Sequence, residues 1–239
     1  MDAKVIRSIT TLLGEAAQFT GLDESERARL AQFTRELTLQ RGEILFHRGD
    51  PCTGIHLLVS GQIKLAVVSS VGKEKIIELA GPGHLIGADT VFSTKGYGVF
   101  AEALSECHVL HIAKAGLRNE LEGVPAVFQA LLGTLAERSQ QLVGEVEAYS
   151  LNTGTERVVG FLLNEVEGIG PRGDEAVLHL PVHKGVIASL LNLTQEHFSR
   201  ILHELQVSGL VKVDGRFISI PSISRMRAEI SFSPRFAPS

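Results

Sequence analysis

The chain has 239 residues, 44% of them hydrophobic and 21% charged, which allows one large or two modest domains with a real hydrophobic core. It has no run of about eighteen apolar residues, and acids interrupt the apolar positions of MDAKVIRSITTLLGE, so we expect a soluble, cytoplasmic protein with neither membrane span nor secretory signal. Its two cysteines, Cys52 and Cys107, lie far apart, which argues against a disulfide framework and against a cluster held by four thiolates.

The formal net charge of −4 is unevenly distributed along the chain. From His179 onward, seven Lys and Arg residues accompany four Asp and Glu residues, so the acidic excess belongs to the N-terminal part. The overall charge therefore does not exclude nucleic-acid binding by the C-terminal part.

The N-terminal part is predicted to be a short helix followed by antiparallel β-structure. Residues 22–33 carry apolar side chains at helical spacing behind Asp23, which we expect to be the N-cap. Residues 37–112 contain short alternating apolar runs such as IHLLVSGQIKLAVVSS and CHVLHIA. Glycines eleven residues apart mark the turns of a small barrel or roll: Gly61, Gly72 and Gly83.

Residues 125–150 change to a helical period and predict one long helix. The apolar seam of this helix is formed by Phe128, Leu131, Leu135, Leu142, Val146 and Tyr149. A helix of about 25 residues is roughly 37 Å long, longer than a small β-roll can cover, so the seam predicts pairing with a second copy. The alternative is a seam buried only against its own domain.

A second domain is predicted after the break LNTGT. RVVGFLLNEVE is typical of an amphipathic helix and EGIGPRGDEA of a loop. Two short helical patterns then flank Asn192-Leu193-Thr194, in which Asn192 tolerates a left-handed turn and Thr194 can cap the second helix. The apolar positions of this predicted helix-turn-helix are Ile187, Leu190, Leu191, Leu193, Phe198, Ile201, Leu202 and Leu205.

The predicted second helix carries side chains that can read base edges. Its outer face presents Gln195, Glu196, Ser199 and Arg200. Arg200 can donate twice to guanine, and a glutamate can accept from cytosine N4. The alternative is a surface helix in which Glu196 and Arg200 form an i,i+4 ion pair. LVKVDGRFISI, with a predicted type I′ turn at Asp214-Gly215, adds the wing of a winged helix and favours DNA reading.

Three segments together resemble the CRP/FNR superfamily of transcription regulators over nearly the whole chain. RGEILFHRGDPCTGIHLLVSGQIKLAVVSSVGKEKIIEL resembles its cyclic-nucleotide-binding-type β-roll, the helix after Pro125 its dimerisation helix, and GVIASLLNLTQEHFSRILHELQVSGLVKVDGRFISI its winged helix-turn-helix. Glu196, Ser199 and Arg200 resemble the FNR-type pattern, which implies a TTGAT-like inverted repeat. NTGTERVVGFLLNEV and TQEHFSRILHEL resemble the DNR-type branch, which implies nitric oxide sensing through haem in denitrification.

Departures from the family pattern narrow the choice of effector. GHLIGADTVFSTKGYGVFAEAL lacks the arginine that holds the phosphate in members that bind cyclic AMP, so cyclic-nucleotide binding is not expected. The two-cysteine count argues against the [4Fe–4S] cluster of FNR. Haem is still a possible cofactor, because histidine is a common haem ligand. The candidate ligands in the β-roll region are His47, His56, His84, His108 and His111. None of these histidines forms a spacing motif, so the effector-binding residues are not assigned. Neither cysteine shows a sequence feature of a redox sensor.

The resulting prediction is an α+β protein with an N-terminal helix and β-roll in residues 1–122, a dimerisation helix in 123–151, a winged helix-turn-helix in 152–225 and a tail in 226–239. We expect a homodimer that binds double-stranded DNA and RNA polymerase, switched by an effector through the hinge at 152–155. Lys184, Lys212 and Arg216 are predicted phosphate contacts, and His197 is a further predicted DNA contact, with His183 nearby. The alternatives are a regulator controlled by its own abundance and a small-molecule-binding module. No catalytic motif such as GxSxG or a P-loop is present.

Overall fold

The computed structural model describes residues 3–121, 125–170 and 173–229. The chain divides into two compact units, residues 1–138 and 139–239. The boundary lies within the predicted long helix, so that helix contributes to both units. Among the described residues, no helix combines the length and apolar character needed to cross a bilayer.

The first unit consists of helices that flank eight strands. Its elements are α1 (Ala3–Glu15), α2 (Glu24–Ala31), β1 (Thr34–Leu39), β2 (Ile44–Phe46), β3 (Gly54–Ser60), β4 (Ile63–Val68), β5 (Glu74–Ala80), β6 (Leu85–Ile86), β7 (Phe100–Ala103), β8 (Cys107–Ala113), α3 (Lys114–Leu121) and the first half of α4 (Pro125–Leu151).

Helix α2 begins where the sequence predicts. The carboxylate of Asp23 accepts from the Glu26 backbone N–H, while the Glu26 carboxylate accepts from the Asp23 N–H, both at 2.8 Å. This reciprocal capping box satisfies two backbone donors that a helix start otherwise leaves unpaired. Leu30 is fully buried and anchors the helix to the core.

The strands form two antiparallel sheets with the orders β1-β8-β3-β6 and β2-β7-β4-β5. Leu58 and Val109 from the first sheet share a buried cluster with Ala101 from the second, so a continuous core lies between the sheets. The three evenly spaced glycines all have positive φ, at 96°, 79° and 87° for Gly61, Gly72 and Gly83, as expected of turn positions that exclude most side chains. The predicted β-roll is confirmed.

Helix α4 confirms the predicted long helix, and its seam has two kinds of environment. Leu131 is 1% exposed and packs, with Val127, into the cluster shared by α1, α2 and the first sheet. Further along, Leu142 and Val146 are 43% and 65% exposed. In the first half of the seam, Leu131 is therefore covered by its own unit, as the alternative interpretation required, but Phe128 is 49% exposed. The second half is open at Leu142 and Val146.

The second unit follows α4 with helices around a small antiparallel sheet. Its elements are α5 (Gly154–Ile169), β9 (Ala176–His179), α6 (Lys184–Leu190), α7 (Gln195–Val207), β10 (Lys212–Asp214), β11 (Phe217–Ile220) and α8 (Ile223–Glu229). The sheet has the order β10-β11-β9.

The amphipathic helix predicted after LNTGT is longer than expected. Gly168 and Ile169, predicted to lie in a loop after the predicted helix end at Glu167, form the last turn of α5, and Gly170 with φ 62° is the C-cap. The prediction was wrong there because the helix continues through Gly168 and ends only at the left-handed Gly170. Helix α8 continues past residue 225, where the DNA-binding domain was predicted to end.

Candidate nucleic-acid interface

The predicted helix-turn-helix is formed by α6, a four-residue turn at 191–194 and α7. Asn192 has φ 56° and is the one non-glycine residue with positive φ in the described chain. Thr194 is the N-cap of α7, and its hydroxyl accepts from the His197 backbone N–H at 3.2 Å. The local signals in Asn192 and Thr194 therefore place the turn and the start of α7 as predicted.

The two faces of α7 differ sharply in burial. The inner face is formed by the buried side chains of Phe198, Ile201, Leu202 and Leu205. The predicted reading residues are all exposed on the outer face: Gln195, Glu196, Ser199 and Arg200.

The alternative interpretation required an ion pair between Arg200 and Glu196, but the structure places the Arg200 side chain beside Glu204 instead. Its guanidinium Nε lies 4.0 Å from Glu204 Oε1, with the two side chains 67% and 60% exposed. A long contact between two exposed groups contributes little free energy. Arg200 can therefore turn towards another partner.

His197 is the predicted DNA-contacting residue that lies away from this face. It is half-buried, and its ring lies against the start of α5, where a Cβ placed on Gly154 would be 3.3 Å from His197 Cε1. The structure therefore does not bring His197 together with Glu196 and Arg200.

The wing is present, but its turn differs from the predicted type. Asp214 pairs with Phe217, so the two turn residues are Gly215 and Arg216. Gly215 has φ 57°, and Arg216 is not among the residues with positive φ. A type I′ turn at Asp214-Gly215 would need positive φ at both central residues, so that prediction was wrong. The strands pair one residue further along than the Asp-Gly signal suggests, which places Arg216 at the tip.

A groove of about 580 Å³ separates the wing from the starts of α6 and α7. It is lined by His183, Lys184, Gly185, Val186, Gln195, Gly215 and Arg216. The Arg216 guanidinium lies 3.3 Å from the His183 ring nitrogens. A Cβ on Gly185 would lie 2.8 Å from Gln195 Oε1, so the absence of a side chain there makes room for Gln195.

This groove brings together residues that the sequence placed far apart. Lys184, Gln195 and Arg216 line it, as does His183, which sequence reasoning only placed nearby. Lys212 is exposed on β10 but does not line the groove. The groove combines fixed cationic groups with an amide, the side-chain chemistry that binds backbone phosphates.

The predicted haem candidates divide into surface and interior histidines. The side chain of His47 is 72% exposed beside Asp50, His84 is exposed, and His108 Nε2 lies 2.9 Å from Glu36 Oε2. His56 and His111, in contrast, are 4% and 5% exposed.

The interior histidines form a neutral pair. They are register partners on β3 and β8 with ring centroids 4.8 Å apart. Burial, followed by the neighbouring His111 and Arg35, lowers the pKa of His56 to about 3, and burial and Arg35 lower the pKa of His111. His111 Nε2 lies 3.1 Å from the Thr53 hydroxyl, whereas His56 Nδ1 is buried without a hydrogen-bond partner in the described chain.

The surroundings of this pair do not fit a haem. Phe46 and Tyr97 stack at 3.7 Å between centroids, and the Phe46 centroid lies 5.8 Å from that of His56. A macrocycle ligated by both histidines would have to enter between rings held 4.8 Å apart on paired strands. His56 Nδ1 could ligate iron only after the packed rings around it had moved.

Two family descriptions match this sequence. Residues 36–123 match "Cyclic nucleotide-binding domain" and residues 156–229 match "Crp-like helix-turn-helix domain". The first covers the β-roll and the second covers the winged helix with α8. The Crp-like description and the regulator relative reported below indicate a family of transcription regulators and not an enzyme family.

A sequence relative and two solved structures are similar to this chain over most of its length. The chain is 30% identical over 188 residues to "Electron transport regulator A" of Shewanella oneidensis, covering 78% of this chain and 74% of that protein. The solved structure of FixK2 from Bradyrhizobium japonicum matches with a TM-score of 0.73 at 22% identity, covering 82% of this chain and 96% of the other. That of DNR from Pseudomonas aeruginosa has a TM-score of 0.50 at 28% identity, covering 95% and 99%. The chain therefore belongs to the CRP/FNR superfamily of transcription regulators.

Proposed function

We propose that this chain is a homodimeric regulator that reads a TTGAT-like inverted repeat, under the control of an effector that acts on the β-roll. The observation that carries the proposal is the outer face of α7, where Glu196, Ser199 and Arg200 are exposed together beside a cationic groove. This combination of base-reading and phosphate-binding side chains is what a recognition helix needs in the major groove.

Each exposed side chain has a partner among the base edges. The Arg200 guanidinium can donate to guanine O6 and N7, and Glu196 can accept from a cytosine N4 amine. Ser199 can contact a base or methyl edge. A carboxylate on a DNA-facing surface is repelled by phosphates, so Glu196 is best explained as a reader of bases.

The sequence-independent part of the affinity comes from cations around this face. Lys184 and Arg216 line the groove and Lys212 lies on the adjacent strand. Contacts from these residues to phosphates would release counterions and make binding depend on salt. The regulator would act in the cytoplasm, where RNA polymerase is its expected partner at a promoter.

The homodimer is supported by the second half of α4. Leu142, Val143 and Val146 are 43%, 67% and 65% exposed, and they lie within one turn of each other. An apolar stripe on a long helix is stabilised by pairing with an identical helix. Two copies would present two recognition helices to half-sites one helical turn apart.

The effector is proposed to be neither cyclic AMP nor a [4Fe–4S] cluster. Between residues 84 and 104 the one Lys or Arg is Lys95, which is exposed and cannot form the bidentate phosphate contact of an arginine. The chain has two cysteines, and a cluster of that kind needs four thiolates.

Haem with nitric oxide is the candidate effector that the resemblance to DNR supports. The packing around His56 and His111 argues against ligation by that pair in this conformation, so haem binding requires another ligand or an opened β-roll. The test is an anaerobic titration of the protein with ferrous haem, with and without nitric oxide, in which haem uptake is followed by the Soret band. DNA binding of the same samples is then measured. Stoichiometric uptake with nitric-oxide-dependent DNA binding supports the haem candidate. No uptake with unaided DNA binding supports another effector or control by protein abundance alone.

DNA reading is tested by fluorescence anisotropy with a TTGAT palindrome and with duplexes changed at each base of the half-site. Arg200→Ala should cost about 1–3 kcal/mol and relax discrimination at one guanine. Arg225→Ala is the matched control, because Arg225 donates to the Ser208 carbonyl at the far end of α7. If Arg200→Ala keeps the full base preference, the reading assignment is wrong. If the wild type binds no duplex, a small-molecule-binding module becomes the better description.

A further inference from the structure

The helix-turn-helix turn is held from outside by a side chain of α4. The Tyr149 hydroxyl, near the end of α4, donates to the Leu190 carbonyl at 2.7 Å. Leu190 is the last residue of α6. The bond therefore joins the end of the dimerisation helix to the turn that precedes α7.

A second side chain binds the next carbonyl of the same turn. Arg157 Nε, in the first turn of α5, donates to the Leu191 carbonyl at 3.0 Å. Another nitrogen of the same guanidinium donates to the Asn152 carbonyl at 2.8 Å. Asn152 lies between α4 and α5, so one planar group connects the hinge with the turn. A hydrogen bond from a charged donor is stronger than one between neutral groups.

The hinge also packs directly on α7. A Cβ placed on Gly154 would lie 3.1 Å from Ile201 Cδ1 and 3.2 Å from Leu193 Cδ2. Such distances are tighter than ordinary van der Waals contact, so the glycine permits a close approach. The start of α5 and the back of α7 therefore touch without an intervening side chain.

We propose that Tyr149 and Arg157 are positioning residues that fix the direction of α7 relative to the end of α4, and so determine which half-site spacing the dimer accepts. This inference rests on the proposed function, because spacing has meaning only for a dimer on an inverted repeat. The two residues touch the turn carbonyls and not the reading face, so they determine the geometry between half-sites and leave base reading within one half-site to Arg200.

The test compares two ratios for each variant. The spacing ratio is the affinity for the preferred palindrome divided by that for a palindrome with one extra central base pair, which turns one half-site by roughly 35°. The base ratio is the affinity for the preferred palindrome divided by that for one with the guanine changed. Tyr149→Phe removes only the hydroxyl, Arg157→Met removes both donors while keeping an unbranched stem of similar width, and Arg157→Lys retains the charge.

Tyr149→Phe should lower the spacing ratio by about fivefold, as expected for one lost hydrogen bond. Arg157→Met loses two hydrogen bonds and should lower the spacing ratio further. Both variants should leave the base ratio unchanged. Arg157→Lys should restore part of the spacing ratio. Tyr97→Phe is the matched control, because it removes a comparable bond, from Tyr97 to the Gly54 carbonyl at 3.2 Å, within the β-roll. Its spacing ratio should equal that of the wild type.

An unchanged spacing ratio in folded Tyr149→Phe, or an equal fall of both ratios, would overturn the inference. If Arg157→Met does not fold, Tyr149→Phe decides alone, because only one oxygen is removed. The proposed function fails in a different way, through a wild-type protein whose DNA binding does not depend on Arg200. Arg200-dependent reading with an unchanged spacing ratio in Tyr149→Phe contradicts the positioning role alone.

Discussion

His56 and His111 lie opposite each other on the paired strands β3 and β8, with ring centroids 4.8 Å apart inside the β-roll. Both rings are almost fully buried, and burial is the main reason that the pKa of each lies below its usual value. A neutral pair in this position makes the stability of the β-roll depend on pH.

We expect acid to destabilise the β-roll through His56. In the unfolded chain a histidine takes up a proton as the pH falls through about 6.5, whereas folded His56 stays neutral down to a pKa of about 3. Between these values the unfolded state binds more protons, so the free energy of unfolding falls by up to about 1.4 kcal/mol per pH unit. His56→Leu should make this fall shallower in urea titrations between pH 6.5 and 4.

His47→Gln is the control for that measurement, because the side chain of His47 is 72% exposed. Asp23, Glu156 and Asp174 also have lowered pKa values, owing mainly to hydrogen bonds from Glu26, Thr153 and Ser222. These carboxylates lose stabilisation in acid in both proteins, so only the difference from wild type reports His56. A pH profile of His56→Leu that is parallel to wild type would contradict the prediction.

The groove between wing and α6 should determine the salt dependence of DNA binding. Lys184→Ala and Arg216→Ala each remove one predicted phosphate contact per subunit, so each should reduce the slope of log K against log salt by about two per dimer. Base discrimination should stay as in wild type, because neither residue lies on the outer face of α7. Affinities measured over a series of salt concentrations, with Arg225→Ala as control, check the slope and the base discrimination. Unchanged slopes would mean that Lys184 and Arg216 do not contact phosphates.

The turn at Asn192 should show the cost of a left-handed backbone. Asn192→Ala should destabilise the second unit by about 1–2 kcal/mol, because a Cβ without a local hydrogen-bonding group is disfavoured at φ 56°. Asn192→Gly should stay close to the wild type, since glycine accepts positive φ without steric cost. Thermal unfolding of the full chain measures both. Equal loss in the two variants would mean that the Asn192 side chain matters more than its backbone conformation.

Local signals explain which features the sequence predicts well. Asp23, Asn192 and Thr194 act within three or four residues, and each is found in the predicted role. Strand β9, in contrast, has four residues and depends on pairing with β11, about forty residues further along the chain. Tertiary pairing of this kind leaves no periodic signal in so short a segment.

Contacts around α7 that join distant parts of the chain could not be predicted from the sequence either. The bonds of Tyr149 and Arg157 to the turn span 41 and 34 residues, and nothing in either local sequence identifies the acceptor. His197 was placed near DNA by its position in the motif, but its ring lies against α5. Helices α1 and α3 were not predicted either. Helix α1 carries apolar residues at helical spacing, Ile6, Ile9 and Leu13, whereas α3 is short and packs against β3 and β8.

The open half of α4 leads to a prediction about the proposed homodimer. Val146 is 65% exposed, and a glutamate there would place two carboxylates at the paired seam, where desolvation and like-charge repulsion oppose association. Val146→Glu should therefore shift the protein to monomer in sedimentation experiments and weaken palindrome binding, while each subunit keeps its thermal unfolding transition. Val71→Glu is the control, because Val71 is 86% exposed on the hairpin between β4 and β5 and should remain dimeric. A dimer that survives Val146→Glu would mean that the copies associate through another surface.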